Sequence, residues 1–420
     1  MKNNKLAYIL LAVLGVIAVA AIVLLVLQPF GAGNGPSSDG PDQPSVPDVG
    51  DPDTDAPGTD DPDGGDEPDA GDNDPVEDNG MKQVEQYNYV LGTQAFKPGY
   101  QFTDETAEME IGGRIAEMGS NMIKFEAKDD QMIDALMDEY HFSHVFMWYR
   151  SINWFRDGYS EDEAVEDYVA IYNYTKKLLT KYNGTGANFY IGHWEGDWYY
   201  LGSYDYSVVH VDDVVTQGMI EWMNTRQKAV DDAKRDTPHE NVYVWNYIEL
   251  NRPTEVLDDP EYDRIVNRVL PHINVDYVSY SAYDSMNRSA EEVKATIDLI
   301  YANLQDKEGV PGPRVFVGEV GQPQISTYAD VDFHCEHNLK NIAKFLACDV
   351  KFVLYWQVYD NEGSAFWLIN PRNEKLPLYY AFSSILEKGK DYVQFFLEEN
   401  GRVPTNEEYR AYLLTLSEFK

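Results

Sequence analysis

Residues 314–323 read RVFVGEVGQP, a short run of β-branched and aromatic residues that ends at Glu319. Seven further runs of this kind occur between residues 89 and 358, and longer stretches with apolar residues at helical spacing separate them. Strands that alternate with helices predict a parallel sheet joined by crossover helices. Eight such units in about 300 residues predict a (β/α)8 barrel, the TIM barrel.

The predicted elements extend over most of the chain. The eight strand-like runs are Tyr89–Gln94, Met122–Glu126, His144–Tyr149, Asn188–Glu195, Val242–Glu249, Tyr277–Tyr283, Val315–Glu319 and Phe352–Val358. A final barrel helix is expected near Leu378–Lys388, and the tail after it is expected to form one or two extra helices. The competing fold, a doubly wound open sheet, normally carries a glycine-rich phosphate loop after its first strand. The first strand-like run has no such loop after it, which favours the barrel.

Residues 1–30 predict a cytoplasmic stub and a membrane anchor. Residues 6–27 are uncharged and mostly aliphatic, and as a helix they would span roughly 33 Å, enough for a bilayer core. Lys2 and Lys5 precede them and the next basic residue is Lys82, which predicts a single-pass membrane protein with the remainder outside. The alternative is a cleaved signal peptide and a secreted protein.

Residues 31–80 predict a disordered linker, since they contain 16 acidic residues, no basic ones and almost no apolar surface. The remaining domain, residues 81–420, carries 56 acidic and 31 basic residues. Such a charge repels nucleic acid and anionic polymers, so no nucleic-acid partner is expected and a neutral substrate fits better. We expect this catalytic domain to be monomeric.

No cofactor or metal site is expected, because the sequence lacks a phosphate loop, HExxH, CxxC and a haem-attachment spacing. Cys335 and Cys348 lie 13 residues apart in one predicted helix. That spacing separates them by about 20 Å along the helix axis, too far for a disulfide. We expect ordinary thiols.

Two glutamates are the leading candidates for chemistry. Active groups of this barrel type lie at the carboxyl ends of the strands, where ANFYIGHWEGDW places Glu195 and RVFVGEVGQP places Glu319. Strict alternation puts Glu195 on the face of Ile191 and Glu319 on the face of Val317, which we expect to be the barrel interior. The fourth and seventh strands face each other across an eight-stranded barrel. Two inward carboxyl groups there would flank one ligand.

A pair of this kind is what hydrolysis of a glycosidic bond requires. One carboxylic acid protonates the leaving oxygen, and the other carboxylate attacks the anomeric carbon or activates water. The two groups need different pKa values, which their neighbours must supply.

With these residues the sequence resembles the clan A glycoside hydrolases, and VFVGEVGQP is similar to the strand-7 signature of the cellulase-like family 5. The resemblance covers most of residues 86–388 and implies a retaining enzyme with Glu319 as nucleophile and Glu195 as acid/base. It implies that the Tyr283 hydroxyl bonds the nucleophile and that Trp356 forms the floor of a sugar site.

The sequence departs from the family pattern at three positions. Trp194 stands where family members usually have an asparagine that contacts the sugar 2-hydroxyl, and His193 or Asn246 is the proposed substitute. Ser281 replaces a histidine of the sixth strand, and Lys124 stands where an arginine is common. A buried lysine needs a partner, so we interpret Lys124 as forming a structural pair with Glu126.

Other strand-end residues are candidates for sugar binding. Aromatic rings stack on the apolar faces of sugars, and polar groups contact hydroxyls. The predicted substrate-binding residues are Trp148, His193, Trp194, Trp198, Asn246, Glu249, Tyr283, Trp356 and Asp360. Glu249 is also the rival of Glu195 for the acid/base role. The sequence thus predicts an extracytoplasmic hydrolase of a neutral, β-linked oligo- or polysaccharide, and the alternative is a non-catalytic carbohydrate-binding barrel at the cell surface.

Overall fold

The computed structural model describes residues 82–128, 130–151, 154–324 and 330–420. The chain divides into two units, and the second, Glu77–Lys420, contains all of these residues. The predicted membrane anchor at residues 1–30 and the linker at 31–80 lie outside the described residues. Within the described part of the chain, no helix combines the length and apolarity that a bilayer crossing needs.

Eight parallel strands form one sheet, as the alternating pattern predicts. They are β1 Leu91–Thr93, β2 Met122–Glu126, β3 His144–Trp148, β4 Asn188–Gly192, β5 Tyr243–Leu250, β6 Tyr277–Ser281, β7 Val315–Val320 and β8 Val353–Tyr355. Each strand pairs with its sequence neighbours, and β1 pairs with β8. The bridge Gln94↔Lys124 joins the first and second strands, with Ala95 N 2.8 Å from Lys124 O, so the sheet closes into a barrel.

Helices surround the barrel. Those that follow the successive strands and close the chain are Ala107–Glu117, Asp130–Tyr140, Glu161–Lys181, Gly196–Leu201, Asp213–Asp236, Pro253–Asp258, Ile265–Arg268, Ala290–Asn303, Val331–Leu346, Pro377–Asn400 and Asn406–Leu413. The last barrel helix continues twelve residues beyond its predicted end, to Asn400, where Gly401 caps it at φ 66°. The tail helix Asn406–Leu413 packs on the barrel, where Tyr409 is buried against Tyr87 and Tyr89.

Aromatic side chains fill the barrel interior. The Phe146 ring stacks on Tyr190 with centroids 4.4 Å apart, and it contacts Phe316 at 5.3 Å and Phe352 at 4.9 Å. These residues belong to β3, β4, β7 and the residue before β8, so their side chains meet only inside the barrel. Phe316 therefore points into the barrel, and its neighbour Val317 faces the helices. This is the reverse of our expectation, which placed Val317 in the interior.

The cysteines are free, as expected, but they do not share a helix. Cys335 lies in Val331–Leu346 and is half-buried, whereas buried Cys348 follows the end of that helix.

Candidate active site

Five polar side chains meet at the carboxyl ends of the strands. They are Lys124 on β2, Glu195 after β4, Glu249 on β5, Ser281 on β6 and Glu319 on β7. All five are at least nine-tenths buried. Every hydrogen bond among them is a contact between different strands, so the closed barrel is what brings them together.

Glu319 reaches this cluster through a β-bulge. Val317 pairs with Tyr280 on β6 and the next pair is Ser281 with Glu319, so β7 carries one extra residue, Gly318. The pairing with β8 shows the same extra residue between Val317 and Val320. A bulge of this kind places two consecutive residues on one face. Glu319 therefore points inward although Val317 points outward.

Glu195 reaches the cluster through a turn. Strand β4 ends at Gly192, and the ring of His193 packs on Trp222 of the helix Asp213–Asp236, outside the barrel. Glu195 itself is the residue before the short helix Gly196–Leu201 and has a non-helical, non-extended backbone, φ −7° and ψ 83°. The expectation that alternation alone aims Glu195 inward was wrong, because the strand has already ended.

Ser281 connects the two glutamates. Its Oγ lies 2.6 Å from Glu195 Oε1 and 3.4 Å from Glu319 Oε2. A hydroxyl group has one hydrogen, so Ser281 donates to one glutamate at a time, and the shorter contact is the one to Glu195. The hydroxyl thus holds the two carboxyl groups on either side of one atom.

The two acids are both buried but have different charged neighbours. Burial raises the pKa of Glu195 to about 7, and the charge of Glu249 adds to the rise, while the hydrogen bonds from Ser281 and Trp198 oppose it. Burial raises the pKa of Glu319 well above its ordinary value; the Lys124 ammonium opposes that rise, and the charges of Glu249 and Glu195 add to it. Lys124 Nζ lies 3.2 Å from Glu319 Oε1, and Tyr283 donates its hydroxyl to Glu319 Oε2 at 3.2 Å. Both donors favour the ionised form of Glu319, whereas among the described residues Glu195 forms no ion pair.

The interpretation of Lys124 as a partner of Glu126 was wrong. Lys124 Nζ donates to Glu249 Oε2 at 2.9 Å, to Glu319 Oε1 and to the Gly318 carbonyl. Glu126 ends β2 with its side chain 53% exposed and pairs with Lys128. Burial alone lowers the pKa of Lys124, but the carboxylates of Glu249 and Glu319 raise it above its ordinary value.

Glu249 is a supporting residue, since both of its oxygens are occupied. Oε1 accepts the backbone N–H of Glu195 at 3.1 Å, and Oε2 accepts from Lys124 and from Ser279 Oγ at 2.7 Å. The side chain is not exposed. The structure therefore does not offer Glu249 to a sugar hydroxyl, and it places this carboxylate beneath the other two acids.

Two more predicted substrate contacts do not fit their positions. Asn246 lies on the helix-facing side of β5 and donates to Gln227 Oε1 at 3.2 Å. His193 is fully buried, with Nδ1 2.8 Å from the Trp194 carbonyl and Nε2 facing the backbone N–H of Glu249 at 3.4 Å. Burial lowers the pKa of His193 to about 3, so the ring is neutral. Neither residue replaces the missing asparagine.

Aromatic rings line the cleft on the Lys124 side. The Lys124 ammonium lies 4.7 Å from the centroid of the Trp148 ring. The Trp148 and Trp356 rings are stacked with their centroids 6.3 Å apart. Phe96, which the sequence analysis did not single out, fills the space between them at 4.1 Å from Trp148 and 5.0 Å from Trp356. The three rings form one aromatic cluster beside Lys124, the partner of Glu319.

Aromatic rings also lie beside Glu195. Trp198 Nε1 donates to Glu195 Oε2 at 2.7 Å, and Trp194 packs edge-on against Tyr199 at 5.5 Å. Asp360 lies apart from the cluster: its Oδ1 accepts the backbone N–H of Phe366 at 3.3 Å. It lines a cavity with Tyr100 and Trp367.

Within the described residues, no three or more histidine, cysteine, aspartate or glutamate side chains are grouped as a metal site would require.

Comparisons with known proteins return structures but no sequence relatives. No family model matches the sequence, and no curated protein matches it. A family 5 xyloglucanase from Paenibacillus pabuli is 13% identical with a TM-score of 0.47, over 73% of this chain and 99% of that one. The GH39 enzyme from Xanthomonas axonopodis pv. citri is 10% identical with a TM-score of 0.45, over 72% and 66%.

A GH2 β-galacturonidase from Eisenbergiella tayi is 14% identical with a TM-score of 0.43, and 71% of this chain covers 50% of that one. The chain thus spans about half of the Eisenbergiella protein and 66% of the Xanthomonas protein. At these identities and TM-scores the comparisons carry no argument about function. The function is therefore inferred from the geometry of the site.

Proposed function

We propose that the chain is a glycoside hydrolase that cleaves a neutral, β-linked glycan with retention of configuration. The observation that carries this proposal is the Ser281 hydroxyl, which contacts Glu195 and Glu319 at once. Those two contacts limit the distance between the bonded carboxylate oxygens to about 6 Å, near the separation of about 5–5.5 Å in retaining enzymes and below that of inverting ones.

In the first step Glu195 donates its proton to the glycosidic oxygen while Glu319 attacks the anomeric carbon. The bond to the leaving group breaks and a glycosyl ester forms on Glu319. In the second step the Glu195 carboxylate removes a proton from water, the water oxygen attacks the anomeric carbon and Glu319 departs. Lys124 and Tyr283 stabilise the charge of Glu319 before the first step and after the second.

The raised pKa of Glu195 suits this cycle. A group with a pKa of about 7 holds its proton at mildly acidic pH and still accepts one in the second step. We expect the rate to fall as the pH rises above about 7, because the acid form of Glu195 is then lost.

Glu319→Gln and Glu195→Gln test the assignment. The substrates are β-1,4-linked tetrasaccharides of glucose, xylose and mannose. The rate of hydrolysis by each variant should fall at least about a thousandfold, since each substitution removes one of two essential groups. A dinitrophenyl glycoside, whose leaving group needs no proton, should still react with Glu195→Gln and not with Glu319→Gln. Glu126→Gln is the matched control, because that glutamate also ends a strand but is exposed.

Three outcomes would contradict the proposal. Turnover of either variant at the wild-type rate removes that glutamate from the mechanism. Release of the α-anomer from a β-linked substrate, seen by NMR, excludes retention. Glycan binding by the wild type without any turnover favours the alternative, a carbohydrate-binding barrel.

We also propose that the barrel lies outside the cytoplasm, anchored through residues 6–27 and spaced by residues 31–80. The apolar run with its preceding lysines supports this orientation. Protease added to intact cells that produce the full chain should remove the barrel, whereas a chain with residues 6–27 deleted should be protected inside. Protection of the full chain would contradict the proposal.

A further inference from the structure

Three aromatic rings, Trp198, Tyr204 and Tyr206, stand together above Glu195 and form what we call the aromatic wall. The Trp198 ring lies 5.3 Å from Tyr204 and 5.6 Å from Tyr206, measured between centroids. Tyr204 and Tyr206 are 36% and 48% exposed, among the largest exposed apolar side chains of the barrel. Neither tyrosine is among the site residues predicted from the sequence.

The wall is attached to the acid. Trp198 donates its indole N–H to Glu195 Oε2 at 2.7 Å. Tyr204 lies close enough for the charge of Glu195 to raise the pKa of its hydroxyl, although burial is the larger cause. The wall thus begins at the carboxyl group and extends outward to solvent.

The wall is also held in place from behind. The Arg252 guanidinium lies 4.2 Å from the Tyr206 ring centroid and 5.2 Å from that of Trp198, and it pairs with Glu255. A cation thus covers one side of the Trp198 and Tyr206 rings, which fixes these two rings by packing. Exposed rings fixed in this way are typical of a binding surface, because little freedom is lost when a ligand stacks on them.

The chemistry of the acid defines what the wall contacts. The group that protonates the glycosidic oxygen lies beside that oxygen, and the atoms beyond it belong to the leaving group. Trp148 lies at the Lys124 ammonium with Phe96 and Trp356 packed against it, and Lys124 pairs with Glu319, the group that forms the ester.

We propose that Trp198, Tyr204 and Tyr206 bind a sugar unit of the leaving group. The substrate is then a saccharide chain that occupies the cleft on both sides of the cleaved bond, not a glycoside of a small alcohol. This inference rests on the proposed function and adds the class of leaving group to it.

Tyr206→Ala in the full chain tests the inference with two substrates that differ in the leaving group. The first is the set of β-1,4-linked tetrasaccharides of glucose, xylose and mannose. The second is the set of β-glycosyl fluorides of the same sugars, in which the leaving group is one atom and does not reach the wall. Loss of one stacked ring should lower kcat/KM on the cleaved tetrasaccharide by about tenfold. Turnover of the fluoride should change far less.

Two variants serve as controls. Tyr206→Phe keeps the ring and should restore tetrasaccharide cleavage. Tyr243→Ala removes a tyrosine that is 43% exposed at the start of β5, at the opposite end of the barrel, and should behave as the wild type on both substrates.

The outcomes separate the two proposals. Equal loss on both substrates, or no loss on either, would overturn the aromatic wall as a leaving-group site while hydrolysis stands. Absence of any turnover by the wild type, fluorides included, would overturn the proposed function itself.

Discussion

Lys124 and Glu249 form an ion pair of 2.9 Å in which neither side chain is exposed. The same ammonium lies 3.2 Å from Glu319, so one cation faces two carboxylates beneath the cleft. Glu249 in turn accepts the backbone N–H of Glu195. The pair therefore fixes the positions of both proposed catalytic groups.

Lys124→Met should be strongly destabilising, because it leaves Glu249 buried without a cation. Removing one partner of a buried pair typically costs about 3–5 kcal/mol, which urea unfolding would measure. Lys128→Met removes the exposed partner of Glu126 and should cost less than about 1 kcal/mol. Lys124→Met combined with Glu249→Leu should recover part of the stability but no activity. Equal stability of Lys124→Met and Lys128→Met would contradict this account.

Ser281→Ala removes the hydroxyl between the two acids. Since the Ser281 hydrogen bond lowers the pKa of Glu195, its loss should move the alkaline limb of the kcat/KM profile to higher pH. One lost bond to a charged group should also reduce kcat/KM at about pH 6 by roughly tenfold. Ser279→Ala, two residues earlier on the same strand and bonded to Glu249, should leave the limb in place. An unmoved limb in Ser281→Ala would show that this hydrogen bond does not lower the pKa of Glu195.

Glu195→Gln should change how stability depends on pH. The folded chain holds the Glu195 proton up to a pH of about 7, whereas the unfolded chain releases it near 4.5. The wild type therefore loses stability as the pH rises between these values, and the glutamine variant does not. Relative to the wild type, the variant should gain up to about 3 kcal/mol between about pH 4 and pH 8. Parallel urea-unfolding curves at both pH values would refute the raised pKa.

Gly318→Ala should disturb the bulge. A Cβ at this position would lie 1.8 Å from Ser279 Oγ and 2.9 Å from Glu249 Oε2. Overpacking of this kind costs about 1–3 kcal/mol, and here it would also displace the partner of Lys124. We expect lower stability by urea unfolding and a large loss of turnover. Ser279→Ala added to Gly318→Ala removes the nearest oxygen and should restore part of both; no recovery would show that the clash lies elsewhere.

The fold is largely predictable from the sequence because each strand is a short apolar run bounded by helix. β2 has the predicted bounds, and β7 differs by one residue. Which side chains of a strand point into the barrel is not predictable in this way. Both faces of a parallel strand are buried here, so Phe316 and Val317 look equally suited to the interior.

The site is predictable only in part. Glu195 and Glu319 stand at strand ends, but a bulge at Gly318 and a turn after Gly192 aim them inward, and neither has a clear sequence signal. Lys124 carried a signal, a charge within an apolar strand. Its partners lie 125 and 195 residues away, so only the closed barrel reveals them.

The Lys124 ammonium is already paired with Glu249 and Glu319, and the charges of Glu249 and Glu362 act on Glu195, so the cleft is short of positive charge once Glu195 has lost its proton. An iminosugar, in which a protonated nitrogen occupies the sugar ring, would supply that charge where the transition state develops it. Inhibitors with a basic ring nitrogen should therefore occupy this cleft more tightly than neutral lactones of the same shape.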